Sequence, residues 1–139
     1  MILKFSVYLR DGSVKKVSPD IIEAKGLLKT GTEDFETIKT NFQLSESTSS
    51  MLFKNIYDAV RSVLQAFLSK QGYEPYSHEA IIAFNLESGN ITNAEAVKLD
   101  KFRQLRNDVS YRAARATLSE AKEIQSLAEK LIKNLKNKI

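Results

Sequence analysis

The chain has 139 residues, of which 42% are apolar and 27% charged, the balance of one folded domain spanning residues 1–139 and not of a disordered segment. Its lack of cysteine excludes a disulfide framework and thiolate chemistry, and its single histidine excludes a multi-histidine metal site within one chain. The net charge of +4 is modest, so where the charge sits matters more than its size.

Met1–Val17 supports two readings. Leu3, Phe5, Val7 and Leu9 alternate, and Asp11-Gly12 followed by Val14 and Val17 would suit a small β-hairpin. A short helix through Tyr8, ending in the Asp11-Gly12 turn, fits as well. The first ten residues mix Lys4 and Ser6 among apolar side chains and carry no small-residue cleavage site, so a signal peptide is not expected. With no cysteine and no run of about 18 apolar residues, a cytoplasmic protein without a membrane partner is expected.

Ser18-Pro19-Asp20 predicts a helix start, with Ser18 as cap, Pro19 at the first helical position, and Asp20 and Glu23 in the first turn. Ile21, Ala24, Leu28, Phe35, Ile38 and Phe42 then recur at helical spacing, predicting a helix to about Phe42. Gly31 occupies one more slot of that stripe. It costs about 1 kcal/mol relative to Ala and marks a kink or a close helix contact. Glu33, Asp34 and Glu36, with Lys39 just beyond, are weighed as a cation site but read more simply as a solvated face.

Ser45–Ser50 is a polar loop. Met51–Lys70 carries the strongest periodicity, in Phe53, Ile56, Tyr57, Val60, Val63, Leu64, Phe67 and Leu68, and stops at Gly72 with Pro75 beyond. This predicts the central core helix. Asp58 and Arg61, three residues apart on this helix, can pair with each other or reach the arginine segment between residues 101 and 115. Ser77 predicts the cap of a shorter helix carrying Ala80, Ile81, Phe84 and Leu86, closed by Ser88-Gly89-Asn90. His78, the only imidazole, is expected to pack on Tyr73 or Tyr76 or to bond a loop carbonyl.

Thr92-Asn93-Ala94-Glu95 is a capping box, in which threonine and glutamate satisfy each other's free backbone donors. Val97, Phe102, Leu105 and Val109 continue that helix. A second capping box, Thr117-Leu118-Ser119-Glu120, starts the last helix, striped by Ala121, Ile124, Ala128, Leu131, Ile132 and Leu135 and ending in Lys133, Lys136 and Lys138. No strand–helix alternation, Gly-rich phosphate loop or long repeat appears. The expected architecture is an all-α, up-and-down bundle of four to five helices with no cofactor.

From Lys101 to Arg115, five cations, Lys101, Arg103, Arg106, Arg112 and Arg115, face a single acid, Asp108, an excess equal to the net charge of the whole chain. Guanidinium groups are fork-shaped ligands for phosphate, so Arg103, Arg106, Arg112 and Arg115 are the candidate anion- or nucleic-acid-binding set. In the plainer reading, Asp108 pairs with Arg112 one turn on and Arg106 bonds a neighbouring helix.

Arg106-Asn107 followed by Tyr111, late in a small helical chain, resembles the signature of the HEPN domain family. The stretch Asn55–Ala66 is similar to that family's central helix, and Gly72-Tyr73 through Ser77–Ile82 to the turn and helix start that follow. The resemblance extends from about Ile21 to Leu135. It implies a helix for the N-terminal segment, a homodimer, and a metal-independent RNase site at Arg106, Asn107 and Tyr111, the positions of an Arg–polar–x3–His motif. It also implies RNA or a nucleotide as ligand. Small stand-alone members often pair with a minimal nucleotidyltransferase in a toxin–antitoxin arrangement, which makes such an enzyme a candidate partner.

Tyr111 stands where the motif has histidine. A phenol, with a reference pKa of about 10, is a poor general base near neutrality but donates a hydrogen bond to phosphate. The exchange argues against efficient catalysis and leaves anion binding intact. Geometry adds a constraint: five residues of helix leave Arg106 and Tyr111 roughly 140° apart and about 7.5 Å along the axis. One straight helix is therefore not expected to aim both at one small ligand, which points to a helix irregularity or to a second chain across a two-fold axis. The reading reached is a binding or regulatory module, with an RNase retaining activity through tyrosine and a plain helical interaction module as alternatives.

Overall fold

The computed structural model describes all residues from Met1 to Ile139. Six helices and one two-stranded ribbon follow in the order α1 (Phe5–Asp11), β1 (Val14–Lys16), α2 (Ile21–Asn41), α3 (Ser49–Gln71), β2 (Tyr73–Pro75), α4 (His78–Glu87), α5 (Asn93–Tyr111) and α6 (Leu118–Leu135). The chain is an all-α bundle, as the periodicities require, and no helix is long and apolar enough to cross a membrane.

Helix α3 is its axis. Leu52, Phe53, Ile56, Val60, Val63, Leu64, Ala66 and Leu68 are all but sealed from water, and the helix packs against α2, α4, α5 and α6. Its end needs a left-handed residue, supplied by Gly72 at φ 85°. Gly31 is a close contact and not a kink: a Cβ there would lie 2.6 Å from the Ala59 carbonyl oxygen of α3. The missing side chain lets α2 and α3 approach backbone to backbone.

The N-terminal segment satisfies parts of both readings. Helix α1 ends at Gly12, with φ 81°, and β1 then pairs antiparallel with β2, Val14 opposite Pro75, instead of folding back on residues 3–9. Phe5 anchors this end by edge-on contact with Tyr73 and Phe84 at 5.1 and 5.3 Å.

Packing corrects several expectations: Ile21 and Phe42, at the ends of the α2 stripe, are exposed, and α3 starts at Ser49, inside the polar run expected as a loop. Asp20, not Ser18, caps α2, its carboxylate accepting from the Glu23 amide at 2.9 Å. Residues 17–20 are instead held along the end of α3, where the Val17 amide donates to the Gly72 carbonyl and the Asp20 amide to the Ser69 carbonyl. Val97, expected in the stripe of α5, is 71% exposed. The buried face of that helix runs through Ala96, Leu99 and Phe102, with Phe102 edge-on to Phe53 at 5.6 Å.

Helix α4 is buried on nearly every side, Ile82, Ala83 and Asn85 included. The Asn85 amide is satisfied by donating to the Leu64 and Ile81 carbonyls at 3.0 and 2.9 Å. Both capping boxes form as their sequences demand. The connector from α5 to α6 is tied to the start of α3, where Ser49 Oγ donates to the Ala116 carbonyl at 2.7 Å and the Ala116 amide donates to Ser50 Oγ at 2.8 Å. That tie fixes where the C-terminal end of α5 lies.

Candidate functional site

Three helices and a turn meet at one cleft. Helix α3 contributes Arg61, the turn after β2 contributes Tyr76 and Ser77, α4 contributes His78 and Glu79, and α5 contributes Arg103, Arg106, Asn107 and Tyr111; the cleft measures about 470 Å³. Each wall is set by a local device. The Ser77 hydroxyl accepts from the Ala80 amide at 3.1 Å and so places His78 on the first turn of α4. The burial of Phe102 and Leu99 turns Arg103 and Arg106 toward α3 and α4.

Arg106 is held by Asp58 in a two-pronged pair, Nε to Oδ1 at 3.2 Å and Nη2 to Oδ2 at 3.3 Å. Of the two partners open to Asp58, it has taken the distant arginine and left Arg61 alone. Burial opposes the Arg106 charge, but the Asp58 carboxylate and the Tyr111 hydroxyl hold its pKa above the ordinary value. Arg103 is paired with Asp100 at 2.9 Å and lies 3.8 Å from Glu79. Arg61 forms no ion pair, and its Nε is shut off from water with no acceptor. A shielded donor without a partner is uncommon, and this one borders the cleft.

His78 does not bond a loop carbonyl, nor does it stack on Tyr73 or Tyr76. Its Nδ1 lies 3.3 Å from the Tyr57 hydroxyl, and the two rings sit 5.8 Å apart. Burial, then the fields of Arg61 and Arg106, push its pKa down to about 4, so the imidazole is neutral near pH 7. Burial raises the Tyr57 phenol in the same way.

Tyr111 and Arg106 line this one cleft from a single chain. The 140° separation describes where their Cβ atoms point, whereas helical side chains lean toward the N-terminus and both of these are long. Tyr111 is also the last residue of α5: Arg112 caps the helix and Ala113 adopts φ 57°. Its ring is 77% exposed. Asn107 lies on the wall beside it.

Arg112 and Arg115 do not line the cleft; Arg112 points into solvent 3.9 Å from Asp108. The cationic excess of the arginine stretch is thus reduced by acids from elsewhere, with Asp58, Asp100 and Glu79 set against Arg106, Arg103 and the cleft. Glu33 and Glu36 pair with Lys29 and Lys39 on the surface of α2. Arg61, Tyr76 and His78 complete the cleft although sequence reasoning did not assign them to it. The available signal was the Asp58 and Arg61 pair on the central helix, which the spacing allowed to reach the arginine segment.

A family model described as HEPN domain matches residues 24–138, from within α2 to just beyond the last helix. No curated protein and no solved structure matches the chain. The chain belongs to the HEPN domain family.

Proposed function

From its place in the HEPN family, we propose that this chain is a phosphate-binding regulatory module, acting as a homodimer on RNA or a nucleotide. We read residues 1–139 as one such unit, and a minimal nucleotidyltransferase as its candidate partner in a toxin–antitoxin pair. The observation that carries the reading is the convergence of Arg61, Arg103, Arg106 and the Tyr111 hydroxyl on one cleft, with Arg61 free of any carboxylate. A phosphodiester there meets the Arg61 guanidinium, whose charge no carboxylate offsets, and a phenolic donor at the rim. Asn107 beside Tyr111 serves as the polar orienter.

Because three carboxylates already offset these guanidinium groups, binding at the cleft alone neutralises few phosphates. For a single strand the slope of log affinity against log salt is then about −0.7 to −1.4, corresponding to one or two phosphates. A steeper slope would enlist Lys101, Arg112 and Arg115 on the exposed surface.

One observation favours a second reading, an RNase. The only imidazole in the chain, His78, lines the same cleft as Arg106 and Tyr111. Its low pKa makes it a weak proton acceptor at pH 7, which ranks this reading below the first.

The deciding experiment incubates purified protein with total RNA and tRNA at low and moderate salt, beside Arg61→Ala, Arg106→Ala and His78→Ala. Binding without cleavage, weakened by salt and by both arginine variants, is the expected result. Cleavage by the wild type that disappears in Arg106→Ala and His78→Ala makes the protein an RNase instead. No binding by any variant returns the arginines to a structural or protein-interface role.

A further inference from the structure

We propose that Tyr76 is a stacking platform for an unpaired nucleobase, so that the ligand of the cleft is a single-stranded nucleotide segment and neither a bare phosphate nor a duplex. This rests on the phosphate-binding reading above. It concerns a residue outside the Arg106–Tyr111 motif.

Tyr76 follows β2 directly and lines the cleft beside Ser77 and His78, yet its ring is 57% exposed. Packing does not account for it: a tyrosine in the core would gain from burial, and this ring is left at the rim of an arginine-lined cleft. Its backbone is nevertheless fixed. The Tyr76 amide donates to the Ser13 carbonyl at 2.7 Å, and the adjoining ribbon pairs Val14 with Pro75. A rigidly mounted and exposed aromatic ring is what base stacking needs, because little freedom is lost when the base arrives.

Its neighbours suit a nucleotide as well. Lys15 Nζ sits over one face of the Tyr76 ring, 5.4 Å from its centroid, and pairs with no carboxylate, so a base would stack on the opposite face. Arg61 and Arg106 line the same cleft as Tyr76, Tyr111 forms a second exposed aromatic rim, and the acid nearest the Tyr76 hydroxyl is Glu74. A base on Tyr76 therefore has Arg61 and Arg106 in the same cleft for its phosphate. In a duplex both faces of each base are already stacked, so the platform would go unused. Stacking tolerates any base, and the cleft accordingly carries no sequence preference from this contact.

The test is fluorescence anisotropy with a labelled single-stranded RNA oligomer, an abasic oligomer of equal length and charge, and the duplex of the first. Wild type, Tyr76→Ala and Tyr76→Phe are compared, with circular dichroism as the check that each variant is folded. The wild type is expected to bind the ordinary oligomer about tenfold or more tighter than the abasic one. Tyr76→Ala should erase that difference by weakening only the ordinary oligomer, and Tyr76→Phe should restore it. If the wild type binds both oligomers equally, or Tyr76→Ala behaves as wild type, stacking is refuted and the phosphate reading survives. A duplex bound as tightly as the single strand also refutes it. If neither oligomer binds, both readings fall.

Discussion

Helices α5 and α6 begin with the same device, the reciprocal caps Thr92–Glu95 and Thr117–Glu120, and both carry a cationic C-terminal half. What becomes of those cations differs. The lysines of α6 stay in water or reach across the surface, as Lys130 does to Glu95 at 3.6 Å. The arginines of α5 turn inward, with the Arg106 side chain only 14% exposed against Asp58. Solvated lysines cost little and do little, whereas a partly desolvated guanidinium must be paired and thereby acquires a fixed direction. Equal formal charge on two similarly capped helices gives a soluble face in one and the wall of a cleft in the other.

The largest expected effect removes the packing that turns α5 inward. Phe102→Ala empties the contact with Phe53 and should cost about 3–5 kcal/mol in urea unfolding. A loss under 1 kcal/mol would mean that α5 is held by its ion pairs instead. Next comes the contrast between cations. Arg106→Ala strands the Asp58 carboxylate and should cost about 1–2 kcal/mol, while Lys133→Ala on α6 should stay within about 0.5 kcal/mol. The double variant Asp58→Ala with Arg106→Ala should recover part of the loss, since the unpaired charge is then gone. Equal costs for the two single variants would erase the distinction.

The shared start of the two helices gives a smaller and symmetrical prediction. Thr92→Ala and Thr117→Ala should each lower stability by about 1 kcal/mol, because each removes one accepted backbone hydrogen bond and one half of a capping box. A large difference between them would show that the caps also serve tertiary packing.

The smallest effect is a pH dependence confined to the cleft. The His78 pKa is depressed in the folded protein to about 4 from an unfolded value of 6.5. Below pH 6.5 the unfolded chain therefore binds a proton that the folded chain refuses. The stabilising effect of neutral His78 is complete above pH 6.5 and is lost as pH falls toward 4. Allowing for the water that reaches this half-buried ring, the loss is about 0.5 kcal/mol. It appears as the difference between wild type and His78→Gln unfolded at pH 7 and at pH 4.5. Phosphate in the cleft should raise the midpoint of the His78 titration followed by NMR, because an anion offsets Arg61 and Arg106. An unmoved midpoint would separate the imidazole from the anion site.

Local chemistry made much of the fold legible. The two capping boxes, the Ser77 cap, the Gly72 stop and the stripes of α3 and α6 all depend on residues three or four apart, and each formed where its pattern stood. The misses have one origin. Asp20 displaced Ser18 as a cap because residues 17–20 are held by Gly72 and Ser69, roughly fifty positions away in sequence. Val97 fits a helical period but lies on the face that nothing covers. Helix α4 has no single stripe to read, since its neighbours bury it all round.

The same division runs through the site. The sequence by itself determined the helical bundle, the family, and Arg106, Asn107 and Tyr111 as the residues to watch, because those follow from local spacing and residue type. Only the tertiary structure decided that Asp58 would hold Arg106, that Arg61 would be left without a partner, and that His78 would face Tyr57. Those pairings join residues 48 and 21 positions apart. They depend on how α3, α4 and α5 cross, and packed side chains, not the order of residues along the chain, determine that crossing.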